Sequence, residues 1–291
     1  MTSILDYLSM HLIQNMFLAT IFACTLCGVI GTYVVVNKMV SITGGIAHTT
    51  FGGVGFSYYV MSVLLVGWFT PMIGALLFSI VSAIILTYCR TFLDLRQDTL
   101  IGVIWAIGMA LGVIFLSSMD HSVMTPASYE SILFGNVLFV GNQTLTIMII
   151  LTITVLAIVA LLFEDLQILT FDEIHAKISN IKVNLLTLIL YVIIAVSCVV
   201  VANVVGIIMI LALMTIPTAI ANLYTASLKE MMILGTIFSI LFAVLGLFLA
   251  LAFNSPPGAT VVLIIGLVFV VSLSVKHTYG KIMNKRCKKP S

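Results

Sequence analysis

The chain has 291 residues, 62% of them hydrophobic and 8% charged, with a mean hydropathy of +1.29. A water-soluble domain carries about 25% charged residues, so a soluble enzyme and a nucleic-acid-binding protein are excluded and an all-α polytopic membrane protein is expected. The formal net charge of +2 carries less information than the places where the charges fall.

Met1 to His11 contain no Lys or Arg, and the apolar run that follows is too long for the core of a cleavable leader. Stretches of about 20 apolar residues, the length that crosses a bilayer, fall at 12–36, 42–66, 68–89, 99–119, 144–163, 183–201, 206–224, 231–253 and 259–275. These nine segments, with eight as the alternative count, make residues 1–291 a single transmembrane domain. If the nine alternate, Lys38, Arg90, Arg96, Lys177, Lys182 and Lys229 fall in loops on one side, together with the basic tail 276–291. All 12 Lys and Arg then share a face. The positive-inside rule makes that face cytoplasmic, with the N-terminus outside and the C-terminus inside.

The second segment contains the most informative stretch, Met39 to Phe56, which places one ionisable residue, His48, in a long apolar run. On a helix, residues three or four apart share a face. From His48 that stripe holds Gly44, Gly45, Phe51 and Gly52, with Gly55 one turn on. Another backbone or a ligand can come close along such a stripe. An ionisable side chain at membrane depth is a candidate for function, and the competing reading is a buried histidine bonded to a neighbouring helix. Gly53 is rotated away from the stripe, so bulk at Gly52 is expected to do more damage than bulk at Gly53.

The outer loops carry Asp6, Asp120, Glu130, His11 and His121 and no positive charge. Such a mouth favours cations over anions, and ordinary solvated loop residues are the alternative. Residues 131–142 are too short to span and are expected to be re-entrant or interfacial. The long inner loop 164–182 contains Thr170 followed three residues later by Glu173, the spacing of a capping box that opens a short helix. Ile174 and Ile178 would share that helix's apolar face with Phe171 nearby, and the face would lie on the membrane or dock a cytoplasmic partner.

Pro217 breaks the hydrogen-bond ladder of the seventh segment, where Thr215 or Thr218 would satisfy the freed carbonyl. Asn254 to Gly258 is a tight turn. Cys24 and Cys27 have redox-motif spacing, yet inside a spanning helix they are expected to pack rather than react. The phosphate-cradling glycine loop with Lys, His-Glu-x-x-His and Gly-x-Ser-x-Gly motifs are all absent from the sequence. A pump built on this chain would draw its nucleotide hydrolysis from another subunit.

Four stretches in fixed order resemble the membrane subunits of ABC importers for zinc and manganese, the metal-chelate permease family. They are Met39–Gly55 around His48, Asp98–Gly112 with Leu133–Asn136, Leu169–Ala176, and Val205–Ala221 with Pro256–Ala259. The resemblance covers nearly the whole chain. It implies a multi-pass permease of the prokaryotic inner membrane, paired with a second permease copy. Its further partners would be a cytoplasmic ATPase dimer, which holds the ATP, and an extracytoplasmic metal-binding protein. It implies that Phe171, Asp172, Glu173, Ile174 and Ala176 lie in the segment that contacts the ATPase. Many family members carry an Asp four residues before the histidine, and here that position is Gly44.

The metal-ligand candidate is therefore His48, with Thr49, Thr50 and Glu130 as weaker ones, and Gly44, Gly45, Gly52 and Gly55 are expected to pack along the pathway. Imidazole suits zinc, whereas carboxylate and water suit manganese. Loss of the Asp tilts the expectation towards zinc, with manganese or iron as alternatives. An ion-coupled secondary transporter would need a carboxylate within a span, and none is present. An intramembrane hydrolase would need a second catalytic group beside His48. A structural scaffold remains the third alternative.

Overall fold

The computed structural model describes residues 11–92, 97–119, 141–253 and 255–287. Asp6, Asp120, His121, Glu130, most of 131–142 and the last four residues lie outside that set. The helices are α1 (His11–Val36), α2 (Val40–Val63), α3 (Pro71–Phe92), α4 (Gln97–Ser117) and α5 (Asn142–Leu161), then two short ones, α6 (Phe163–Phe171) and α7 (Glu173–Ile178). They continue as α8 (Val183–Val205), α9 (Ile207–Asn222), α10 (Leu228–Phe253) and α11 (Pro257–Cys287). No strand occurs among the described residues.

Seven of these helices, α1, α3, α4, α5, α8, α10 and α11, are long and apolar enough to cross a membrane. The other two expected spans differ for separate reasons. α2 has the length, 24 residues, but its glycines, threonines, tyrosines and His48 lower its hydropathy. α9 is apolar but has only 16 residues, about 24 Å of helix against a hydrocarbon core of roughly 30 Å. The last helix runs beyond its expected end. α11 has 31 residues and takes in most of the basic tail, because Lys and Arg are good helix formers and the first proline after the span is Pro290.

The turns at one end follow from local chemistry. α1 closes with Lys38 in the left-handed region (φ 57°) and the Met39 N–H bonded to the Val34 carbonyl at 2.8 Å. α7 closes in the same way, with Asn180 at φ 61° and the Ile181 N–H bonded to the Ala176 carbonyl at 3.1 Å. This is the helix-stop geometry that glycine usually supplies and asparagine tolerates. Between α8 and α9 the chain breaks at Gly206 (φ 85°, ψ 162°), a conformation open essentially to glycine alone.

α1 and α8 are the most buried spans. Their Leu26, Ile30, Tyr33, Leu190, Tyr191 and Ile194 are among the fully buried side chains. α10 and α9 pack on α1, α11 packs on α9 and α10, and α2 lies between α3 and α4. Glycines make both groupings tight. A side-chain carbon at Gly28 would strike Thr236 of α10, and one at Gly31 would strike the Met214 carbonyl of α9.

Among the described residues, contacts between distant loops gather Arg90, Lys177, Lys229 and Lys276 at one end. The Asn37 amide donates to Thr170 at 3.2 Å, and Arg90 pairs with Glu173 at 3.2 Å. The Lys229 ammonium lies 5.0 Å from the Phe163 ring centre, and Lys276 donates to the Leu223 carbonyl at 2.8 Å. At the other end, Phe56 packs its ring among Phe69, Phe78 and Phe115.

Pro217 sits within α9, and the threonine hydroxyls beside it are engaged elsewhere than expected. Thr218 donates to the Met214 and Thr215 carbonyls at 2.9 Å, and Thr215 donates to Leu211. The carbonyl that the proline leaves free, at Leu213, is not their acceptor.

Candidate functional site

α2 is built to be approached. Gly45 faces Ile101 of α4, where an added carbon would lie 3.1 Å from the Ile101 side chain. Added carbons at Gly52 and Gly55 would lie 2.8 Å from the Gly108 carbonyl and 2.6 Å from the Gly112 carbonyl. The glycine stripe read from the sequence is thus the α2–α4 seam, and the backbone that comes close is this chain's own. α4 answers with a matching stripe: Ile101, Gly108, Gly112 and Leu116 are its buried residues.

The expected ranking of Gly52 above Gly53 does not survive. An added carbon at Gly53 would collide with the Gly74 carbonyl of α3, a closer approach than at Gly52. The reason is that α2 is clasped from two sides, so its glycines fall on two faces rather than one.

His48 projects from the α4 side of α2, eight residues from the helix start at the basic end, or about 12 Å along the axis. It is half-buried. Two residues of α4, one turn apart, hold its ring. Trp105 stacks on it with ring centres 4.2 Å apart and planes 17° from parallel, and Met109 places its sulfur 3.1 Å from Nδ1. A thioether has no proton to give. As a hydrogen bond this contact requires the proton on Nδ1, which leaves the Nε2 lone pair for an electrophile or a metal ion.

Trp105 also covers Gly44. A carbon added there would lie 3.3 Å from the indole and 3.4 Å from Leu211 of α9. The position four residues before His48 is therefore small and roofed by an aromatic ring. The weaker candidates diverge. Thr49 gives its proton to the Ile46 carbonyl at 2.8 Å and packs on Gly108. Thr50 turns to α3, where Ser79 meets its hydroxyl at 2.8 Å. Among the described residues, no three His, Cys, Asp or Glu side chains converge to hold an ion. Glu130 lies outside them.

The second candidate region is α6–α7. The helix expected from Thr170 begins two residues later: Asp172 is the cap, its carboxylate accepting the His175 N–H at 2.9 Å. Thr170 is instead inside α6, bonded to the Leu166 carbonyl at 2.7 Å. Aspartate outranks threonine as a cap, and it sits directly before the helix. Ala176 is fully buried, whereas Phe171, Ile174 and Ile178 are 65%, 71% and 78% exposed. Between the two helices lies a groove of about 500 Å³ lined by Glu164, Gln167, Ile168, Phe171, Asp172 and His175.

Trp105, Met109 and Arg90 escaped the sequence reading. The first two lie at i and i+4 beside the buried stripe of α4, so the helical period was a usable signal. Which helix would receive that stripe was not.

Residues 9–276 match the ABC 3 transport family. The chain is 35% identical to a probable metal transport system membrane protein of Chlamydia pneumoniae, over 91% of this chain and 89% of that one. It is 32% identical to the manganese import system permease protein ScaB of Streptococcus gordonii, over 93% of this chain and 94% of the relative. Its fold matches a chain of the solved PsaBC from Streptococcus pneumoniae in complex with Fab, with a TM-score of 0.80, 31% identity, and coverage of 92% and 93%.

Proposed function

Because the chain belongs to the ABC 3 transport family, we propose that it is the multi-pass membrane permease of an ATP-driven importer for a divalent transition metal. In this reading nine helices cross the membrane, the basic end faces the cytoplasm, and 164–182 is the coupling loop beside the tail 276–291. ATP is hydrolysed on a separate cytoplasmic ATPase dimer, and an extracytoplasmic binding protein delivers the ion. The names of the relatives support metal transport.

The observation that carries the site is His48. Among the described residues it is the one His, Asp, Glu, Lys or Arg well inside a span, and its ring is held by Trp105 on one face and by Met109 at Nδ1. Two permease copies about a two-fold axis would bring two imidazoles to one pathway, with water or backbone carbonyls completing a loose ligand set. A closed site would trap the ion that it has to release.

Nitrogen donors without a carboxylate at Gly44 favour zinc. The second reading, manganese, is favoured by the name of the streptococcal relative. Uptake of radiolabelled zinc and manganese by vesicles holding the permease and its ATPase, each ion competing against the other, separates the two. Absence of ATP-dependent uptake of either ion would overturn the importer reading.

A further inference from the structure

We propose that Arg90 couples the cytoplasmic loop to the helix that carries His48, and that it does so through Glu173. The proposal rests on the reading of α6–α7 as the ATPase-docking loop and names the residue through which that loop acts.

Arg90 stands in the last turn of α3, where a cation is favoured by the carbonyl end of the helix. Its guanidinium divides between two partners. One nitrogen donates to the Tyr191 phenol of α8 at 3.3 Å and the other to the Glu173 carboxylate at 3.2 Å. Tyr191 is fully buried and forms part of the fixed core. Glu173 opens α7, the helix with exposed Ile174 and Ile178. Arg90 therefore ties a short, partly exposed helix to a rigid anchor.

From Arg90 the path to the candidate metal helix is rigid. α3 packs against α2 where Gly74 and Gly53 meet backbone to backbone, an approach with no slack for independent sliding. Thr50 and Ser79 add a hydroxyl pair across the same seam at 2.8 Å. A displacement of α7 that pulls on Glu173 thus reaches α3, and through the seam it reaches α2 and His48.

Glu173 has a second cation, Lys177, at 3.0 Å on its own helix. The carboxylate can pass from one cation to the other as α7 turns, so the tie can break and re-form during a cycle. Arg90 and Glu173 are 30% and 42% exposed at the side chain. Pairs this open add little to folding, which makes the tie poorly explained as a stability device and well suited to transmission. Arg rather than Lys is required, because only the forked guanidinium reaches both partners at once.

The test uses the full permease assembled with its ATPase in vesicles, reading manganese and zinc uptake and ATP hydrolysis side by side. Arg90→Gln is expected to keep the ATPase bound and hydrolysing while uptake per ATP falls about tenfold. Arg90→Lys should lie between it and the wild type. The charge reversal Arg90→Glu with Glu173→Arg should recover uptake several-fold over either single change.

Three outcomes would overturn the assignment. They are wild-type uptake by Arg90→Gln, a fall of uptake and hydrolysis in proportion, and a reversal that recovers nothing. A wild-type complex that binds no ATPase or moves neither ion would overturn the underlying reading, and the assignment with it.

Discussion

The two candidate regions are built on opposite principles. The α2–α4 seam is closed by this chain itself: Gly52 and Gly55 meet Gly108 and Gly112, and His48 is wedged against Trp105 and Met109. The α6–α7 loop leaves its largest apolar side chains, Phe171, Ile174 and Ile178, uncovered and secures itself with polar ties at its rim. Where backbones touch there is no room for an added atom, so the seam responds to volume. Where side chains stand free, an added methyl changes nothing within the chain, so the loop responds to what it would meet on another protein.

The contrast is sharpest at His48. Loss of groups that merely orient a metal ligand costs about 10–100-fold, so His48→Ala should lower metal uptake on the order of a hundred-fold or more at equal expression. His48→Asn separates a ligand from a prop, since the amide can bond in place of the imidazole but binds metal poorly. Full uptake by His48→Asn would reduce the seam to packing. His48→Asp should keep some activity and shift preference towards manganese.

On the loop, Ile174→Asp should weaken ATPase association by about 30-fold, the size of one interface hot spot, while membrane expression stays unchanged. Co-purification checks it, and unchanged association would show that the exposed face meets lipid instead.

Back on the seam, Gly53→Ala forces a carbon onto the Gly74 carbonyl and should cost about 1–3 kcal/mol. Gly102→Ala, where nothing lies within 4 Å, should cost nothing. Thermal melting in detergent compares the two, and equal melting points would mean that α2 and α3 can part easily. The smallest effect belongs to the loop's cap. Asp172→Ala should cost about 1 kcal/mol of local helix stability, visible as faster amide exchange across α7, whereas Thr170→Ala should leave α7 unchanged.

The end-to-end arrangement has its own check. A cysteine at position 284 should be labelled by an impermeant reagent only in inverted vesicles, and one at position 3 only in intact cells. Labelling of position 284 in intact cells would reverse the orientation proposed from the basic residues.

Much of this was legible before any coordinates. The stripe around His48 followed from helical period alone, and α4 occupies it. The loop's apolar face followed from Ile174 and Ile178 at i and i+4. The errors were local. Thr170 has the spacing of a capping box, yet Asp172 sits nearer the helix and binds the N–H of His175. Gly53 looked spare because one partner helix was imagined for α2 and the fold supplies two. The last span was expected to end at residue 275, where the charges begin, although Lys and Arg are good helix formers and α11 runs on to Cys287.

What the sequence determined by itself was whatever adds up along a segment. Hydropathy marked the spans, and the one-sided placement of 12 basic residues predicted a common face. The tertiary structure decided which surfaces meet. It set Trp105 and Met109 against His48, and Arg90 between Tyr191 and Glu173. In lipid, apolar surface alone gives one helix no preference for another, so partners are chosen by close backbone fit and a few polar contacts. Such fit depends on the shape of both helices at once, and no single segment contains it.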